Sequence, residues 1–254
     1  MQHHRSSGTT GMNRLIASAF GVRLVSDVPE RLALSAFRYR PNGARRERLD
    51  AVRRRGTLFI HVPKNAGTSI CERLYGCQIK HETVRYYAMV APDLLELPSF
   101  AIVRDPVCRF LSAFAYARAG GTADRDVSLP FRPRYRAFSG IDQAIDHLAC
   151  ARSPFDIDHI FRPQAWYLLD AHGACRVEHL VPFEEIDRLE AILDDAQLAA
   201  LPRLNRSRAE DRPELTPSQE AFVQTFYAAD YALRHKALLT SPSVRPRSAH
   251  RATP

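Results

Sequence analysis

The sequence predicts an α/β protein, a parallel sheet flanked by helices, and three observations carry that expectation. Runs of β-branched and apolar residues at 57–62 (TLFIHV), 99–104 (SFAIVR) and 175–183 (CRVEHLVPF) read as short buried strands. Stretches with helix caps and helical periodicity lie between them. Strand alternating with helix is the pattern of a parallel sheet covered on both faces. The 254 residues suffice for one full core, and 45% apolar with 25% charged residues is ordinary for a globular chain. Disordered, collagen-like, repeat and disulfide-scaffold classes are excluded.

Residues 1–56 read as an Arg-rich arm. Leu15, Ile16, Phe20, Leu24 and Val25 can line one helical face there, and a turn-forming, then charged, stretch follows. A solvated tail, a first helix packed on the domain, and a membrane-surface or polyanion contact all stay open for it. The domain itself spans 57–240. Its first strand, 57–62, runs into the loop PKNAGTS, and a helix over 69–76 is closed by Gly76. Residues 78–89 are expected to be a second strand passing into a helix. After the strand at 99–104, Asp105 is a good N-cap and Pro106 a good first residue for a helix to 117. Residues 119–139 are polar and broken by Pro and Gly, a long loop of the kind that carries substrate contacts. Helices are expected over 141–151 and, after the third strand, over 184–195. Thr216-Pro217-Ser218-Gln219 opens a last helix to about Leu239, and 241–254 is expected to be a basic, disordered tail.

The net charge of +8 first suggests a nucleic-acid partner. Its location argues otherwise. Residues 1–56 hold 12 Arg against 4 acids, while 57–254 hold 24 bases against 24 acids. Excluding Arg245, Arg247 and Arg251 leaves 21 against 24 over 57–244. The domain is therefore not basic, and no nucleic-acid partner is expected. Five cysteines, with no CxxC pair and no Cys/His cluster of zinc spacing, read as reduced, mostly buried thiols of a cytoplasmic protein, with no metal. No run approaches the length of a membrane-spanning helix.

Two turns carry the chemistry. PKNAGTS stands at the carboxyl end of a strand, where open α/β sheets bind ligands. The amides of Asn65, Ala66, Gly67, Thr68 and Ser69 open a helix whose N-terminus favours anions, Gly67 permits close approach, and Lys64 adds a cation. This is phosphate-loop physics without a Walker A sequence, because the lysine precedes the glycine. In VRDPVCRFLSA, Arg104 ends a strand and Ser112 lies two turns into the following helix, a guanidinium and a hydroxyl able to hold a second phosphate.

At these residues the chain resembles the carbohydrate sulfotransferases that use 3′-phosphoadenosine 5′-phosphosulfate. FIHVPKNAGTSI is similar to their 5′-phosphosulfate loop and FAIVRDPVCRFLSAF to their 3′-phosphate motif. DHIFRPQAWYLL, VEHLVPFEEIDRLEAIL, LNRSR and FYAADYAL resemble later elements of the family, so the likeness spans about 57–235. The membrane anchor and paired cysteines of the Golgi members are not found, which points to a bacterial-type member.

The resemblance implies the sulfotransferase fold, a P-loop-like sheet, and transfer of a sulfuryl group from that donor to a hydroxyl, with a carbohydrate or glycolipid acceptor first in line. It implies that Lys64 neutralises charge on the leaving oxygen, that Asn65 through Ser69 hold the 5′-phosphosulfate, and that Arg104 and Ser112 hold the 3′-phosphate. Asn205 and Ser207 would close over the nucleotide. The general base is open between His81, Glu82 and His159. Two rivals remain: a P-loop kinase-like phosphotransferase, which should show Gly-Lys-Ser/Thr, and a non-catalytic polyanion binder using the arm.

Overall fold

The computed structural model describes residues 11–35, 39–123, 125–190 and 213–240. Three strands, β1 (Leu58–Phe59), β2 (Ser99–Val103) and β3 (His179–Pro182), form a parallel sheet in the order β1-β2-β3. Leu58 pairs with Ser99, and Phe100 through Val103 pair with His179 through Pro182. Because the strands are parallel, the residues that leave their carboxyl ends emerge on one edge. Those are the 60–66 segment, Arg104 and Phe183.

Helices flank the sheet: α1 (Gly11–Ala19), α2 (Val28–Leu34), α3 (Gly43–Arg55), α4 (Gly67–Tyr75), α5 (Val84–Val90), α6 (Pro106–Ala119), α7 (Arg132–Arg136), α8 (Ile141–Ala149), α9 (Gln164–Leu168), α10 (Pro217–Phe226) and α11 (Ala228–Thr240). The expected caps are in place. The Asp105 carboxylate accepts from the Cys108 amide at 2.9 Å, Thr216 and Gln219 form the capping box, and Gly76 closes α4 at φ 63°. One core surrounds the strands. A second, rich in aromatics, joins α6, α7, α8 and α10 through Phe110, Phe114, Tyr135, Phe138 and Phe161.

Four local expectations are corrected. Residues 78–83 form no strand, because their polar groups are spent elsewhere: His81 Nδ1 bonds the His61 carbonyl, and the Thr83 amide and hydroxyl both donate to Glu30. The 119–139 stretch holds α7 and an antiparallel bridge between Gly121 and Asp126. Residues 183–188 take a tighter 3₁₀ form before the chain leaves the described residues at 190. The final helix breaks at Tyr227, whose hydroxyl donates to the Phe161 carbonyl, so that Asp230 on the second half can reach the amides of Gln164 and Ala165.

The N-terminal stretch read as an arm packs on the rest of the molecule along several contacts. Leu49 and Val52 of α3 enter the sheet core, Asp27 pairs with Arg162, Glu30 receives Thr83, and Arg45 pairs with Glu82. The tail at 241–254 lies outside the described residues. All five cysteines are free thiols, but the expectation that most are buried is corrected: Cys71 alone is buried, Cys77, Cys108 and Cys175 are half-buried and Cys150 is exposed. Among the described residues no helix is long and apolar enough to cross a membrane, and no group of three or more His, Cys, Asp or Glu is placed to hold a metal.

Candidate functional site

The loop after β1 is held in an unusual conformation by residues far away in sequence. Lys64 and Ala66 have φ of 70° and 61°, the left-handed region that non-glycine residues seldom occupy. Between them the buried Asn65 side chain fixes the turn, its Nδ2 donating to the Ile102 carbonyl and to Gln164 Oε1, both at 2.7 Å. Arg109 of α6 donates from Nε to the Pro63 carbonyl at 3.1 Å, and Arg104 donates from Nη1 to the Lys64 carbonyl at 3.1 Å. Ala66 is the N-cap of α4 and supplies no side-chain cap. The first amides of α4 therefore depend on partners from outside the helix, the arrangement that favours an anion.

Gly67 is required for a reason the sequence does not show. A Cβ there would stand 2.0 Å from His61 Cδ2, so the loop closes onto the His61 ring and only glycine fits. Thr68 is exposed and Ser69 half-buried, both in the first turn of α4.

Lys64 and Arg104, some forty residues apart in sequence, meet at this edge. Lys64 Nζ lies 4.2 Å from the centre of the Tyr116 ring. Burial, with Arg104 and Arg109 nearby, lowers the Lys64 ammonium to about 8. The Arg104 guanidinium lies over Phe183 at 4.6 Å, and the Arg104 amide donates to Gln164 Oε1 at 2.9 Å. Ser112 is half-buried on α6. Two cations, an open helix start and a strained loop thus share one end of the sheet, a donor set suited to a ligand with phosphate or sulfate groups. Among the described residues the buried Asn65 Oδ1 has no hydrogen-bond partner.

Two of the three base candidates are brought together. The rings of His81 and His159 stack at 4.8 Å, and His61, a residue sequence reasoning passed over, meets His81 at 4.1 Å. Contact therefore runs from the loop through His61 and His81 to His159. His159 Nδ1 lies 2.7 Å from the fully buried Asp158 carboxylate, and His81 Nδ1 lies 3.0 Å from the His61 carbonyl. Each acceptor calls for a proton on Nδ1 and leaves the Nε2 lone pair available. The environments differ. Burial, then the neighbouring His61 and His159, holds His81 well below its ordinary value, and burial takes His61 to about 3. Burial alone would raise the Asp158 carboxyl, yet His159, Ser128 and the Ile160 amide beside it keep it below its usual range.

Glu82, the third candidate, is engaged elsewhere. Its Oε1 accepts from Arg45 Nη1 of α3 at 2.7 Å, while burial raises its carboxyl to about 8 against the pull of that arginine. Asn205 and Ser207 lie outside the described residues. Besides His61, the fold brings in Arg109 and assigns supporting roles to Asp158 and Gln164. Arg109 holds Pro63, Asp158 orients His159, and Gln164 bridges the turns that carry Lys64 and Arg104, its Nε2 also donating to the Arg104 carbonyl at 2.8 Å. For His61 the sequence carries one signal, a histidine in the TLFIHV run two residues before Pro63 opens the loop.

Comparison with protein-family models, with curated proteins and with solved structures found no match for this chain.

Proposed function

We propose that this chain is a sulfotransferase of the P-loop-like, sulfotransferase-fold class. In this reading it moves a sulfuryl group from 3′-phosphoadenosine 5′-phosphosulfate to a hydroxyl, that of a carbohydrate or glycolipid. The observation that carries the reading is the meeting of Lys64 and Arg104 at the carboxyl edge of a parallel sheet, beside the open start of α4.

Sulfuryl transfer, like phosphoryl transfer, asks the protein mainly for positioning and for charge opposite developing charge. The donor supplies the activated sulfuryl group and leaves as adenosine 3′,5′-bisphosphate. Lys64 would meet negative charge growing on the leaving oxygen. The amides from Asn65 to Ser69, with the Thr68 and Ser69 hydroxyls, would hold the 5′ groups. Arg104 and Ser112 would hold the 3′-phosphate. The strain at Lys64 and Ala66 favours this use, since backbone kept in a costly conformation by Asn65, Arg104 and Arg109 is preorganised.

For the acceptor, His159 is the base this reading selects. Asp158 fixes its tautomer and offsets the positive charge gained when Nε2 takes a proton. His81 has only a backbone carbonyl behind it and two histidines beside it, so it serves as a neutral packing partner.

Titration calorimetry with adenosine 3′,5′-bisphosphate, then radiolabelled donor with a panel of polysaccharides, glycolipids and phenols, tests the proposal. Binding of the nucleotide and sulfate in one acceptor class are the expected results. Lys64→Ala should lower turnover at least a hundredfold, on the order seen for loss of one transition-state donor, while the nucleotide still binds. A folded protein that binds no nucleotide, or a Lys64→Ala variant of full activity, sinks the assignment.

A further inference from the structure

The first helix is turned inside out. Along α1 and the turn after it, Ala17 and Val22 are the buried residues, 3% and 6% exposed, and they pack with Phe155 of the 154–156 turn. The large apolar residues face away: Met12 is 66% exposed, Leu15 69%, and Ile16 and Phe20 38% each. Positions 12, 15, 16 and 20 follow the spacing of one helical stripe. A helix that belonged only to the core would bury this stripe and expose Ala17.

The charge around the stripe selects what can cover it. From residue 1 to 26 the sequence contains Arg5, Arg14 and Arg23 and no acidic residue; the first, Asp27, is buried against Arg162. Arg14 is exposed, and Arg23 keeps 65% of its side chain exposed with only a 3.9 Å approach to Asp156. A second copy docking through the same stripe would bring arginines together with no exposed carboxylate between 11 and 26 to pair them. The basic tail at 241–254 has the same sign and few large apolar residues.

An anionic bilayer meets both requirements, an apolar phase for the stripe and negative headgroups for the arginines. We infer that α1, with the turn after it, is a membrane-docking element that lays Met12, Leu15, Ile16 and Phe20 into the headgroup boundary of an anionic lipid surface. The inference stands on the exposure and charge of α1 and is independent of the reaction proposed above. Its place in the fold gives it a consequence. Ala17 and Val22 pack against Phe155, and Asp27 bonds Arg162 at 3.0 and 2.5 Å, so α1 is tied to the segment that carries His159.

The test is flotation of the full chain with vesicles of phosphatidylcholine alone and of phosphatidylcholine mixed with phosphatidylglycerol. Expected is binding to the mixed vesicles only, weakened by salt and by Arg14→Gln with Arg23→Gln. Leu15→Asp and Phe20→Asp should each lower partitioning roughly tenfold or more, the order for withdrawing one large side chain from an apolar phase. Both side chains are exposed, and an unchanged circular dichroism spectrum checks that the variants are folded. No binding to mixed vesicles, or binding untouched by Leu15→Asp, overturns the inference. A dimer in size-exclusion chromatography that Leu15→Asp dissociates, with no vesicle binding, assigns the stripe to a second copy instead.

Discussion

Lys64 sits where burial and two arginines work against its charge, and this sets the pH range in which it can act. Its ammonium loses its proton above about 8 instead of near the ordinary lysine value. If the charged form is the one that meets the leaving oxygen, kcat/KM falls as pH rises through that value. A profile flat to pH 10 would remove Lys64 from the reaction. The histidines give a second test at this scale. Asp158→Asn leaves His159 able to bond through the other tautomer, and kcat should drop tenfold or more on the order of other oriented-base systems, with nucleotide affinity unchanged. His81→Gln should cost less, and the reverse ranking would move the base to His81. Gly67 shows how much a single residue can conceal. Its presence in a loop suggests backbone freedom or room for an anion, whereas the structure assigns it to the 2.0 Å encounter with His61.

At the scale of elements, the turns that carry Lys64 and Arg104 are stitched together by one side chain from α9. Gln164 Oε1 accepts from Asn65 Nδ2 and from the Arg104 amide, and its Nε2 donates to the Arg104 carbonyl. Gln164→Ala would leave buried donors and an acceptor unmatched, each costing about 1–3 kcal/mol. Urea unfolding should show a loss of about 3 kcal/mol or more, accompanied by weaker nucleotide binding as Arg104 loosens. A stable variant with native affinity would show that the bridge is dispensable. Most elements could be read from the sequence because their signals are local: Asp105 and Thr216 as caps, Gly76 as a stop, apolar runs at 58–59 and 99–103. The strand expected at 78–83 failed for a nonlocal reason. Thr83 and His81 give their hydrogen bonds to Glu30 and His61, partners 53 and 20 residues away, which no window on the sequence contains.

For the whole molecule, the stretch before residue 57 is bound in by buried charge. Asp27 and Arg162 are 6% and 2% exposed and share two hydrogen bonds, so removing one partner strands the other in a dry interior. Asp27→Ala should therefore lose about 3–5 kcal/mol, measured by urea unfolding, and the N-terminal helices should become protease-sensitive first. A cost below about 1 kcal/mol, typical of a surface pair, would show that α1 and α2 are not held this way. The charge map read from sequence retains its value here, since the excess of arginine does lie before residue 57. Composition could not reveal that Arg45 faces Glu82 while Arg14 faces outward, because that depends on which side of a helix meets the core. The sequence by itself determined the α/β class, the alternation that makes the sheet parallel and the two turns bearing Lys64 and Arg104, all set by residues within a few positions of one another. Only the tertiary structure decided that His61, His81 and His159 converge, that Asn65 and Gln164 lock the loop, and that α1 buries alanine and exposes leucine. Those outcomes rest on contacts between distant segments, where burial and unmatched hydrogen bonds outweigh local preference.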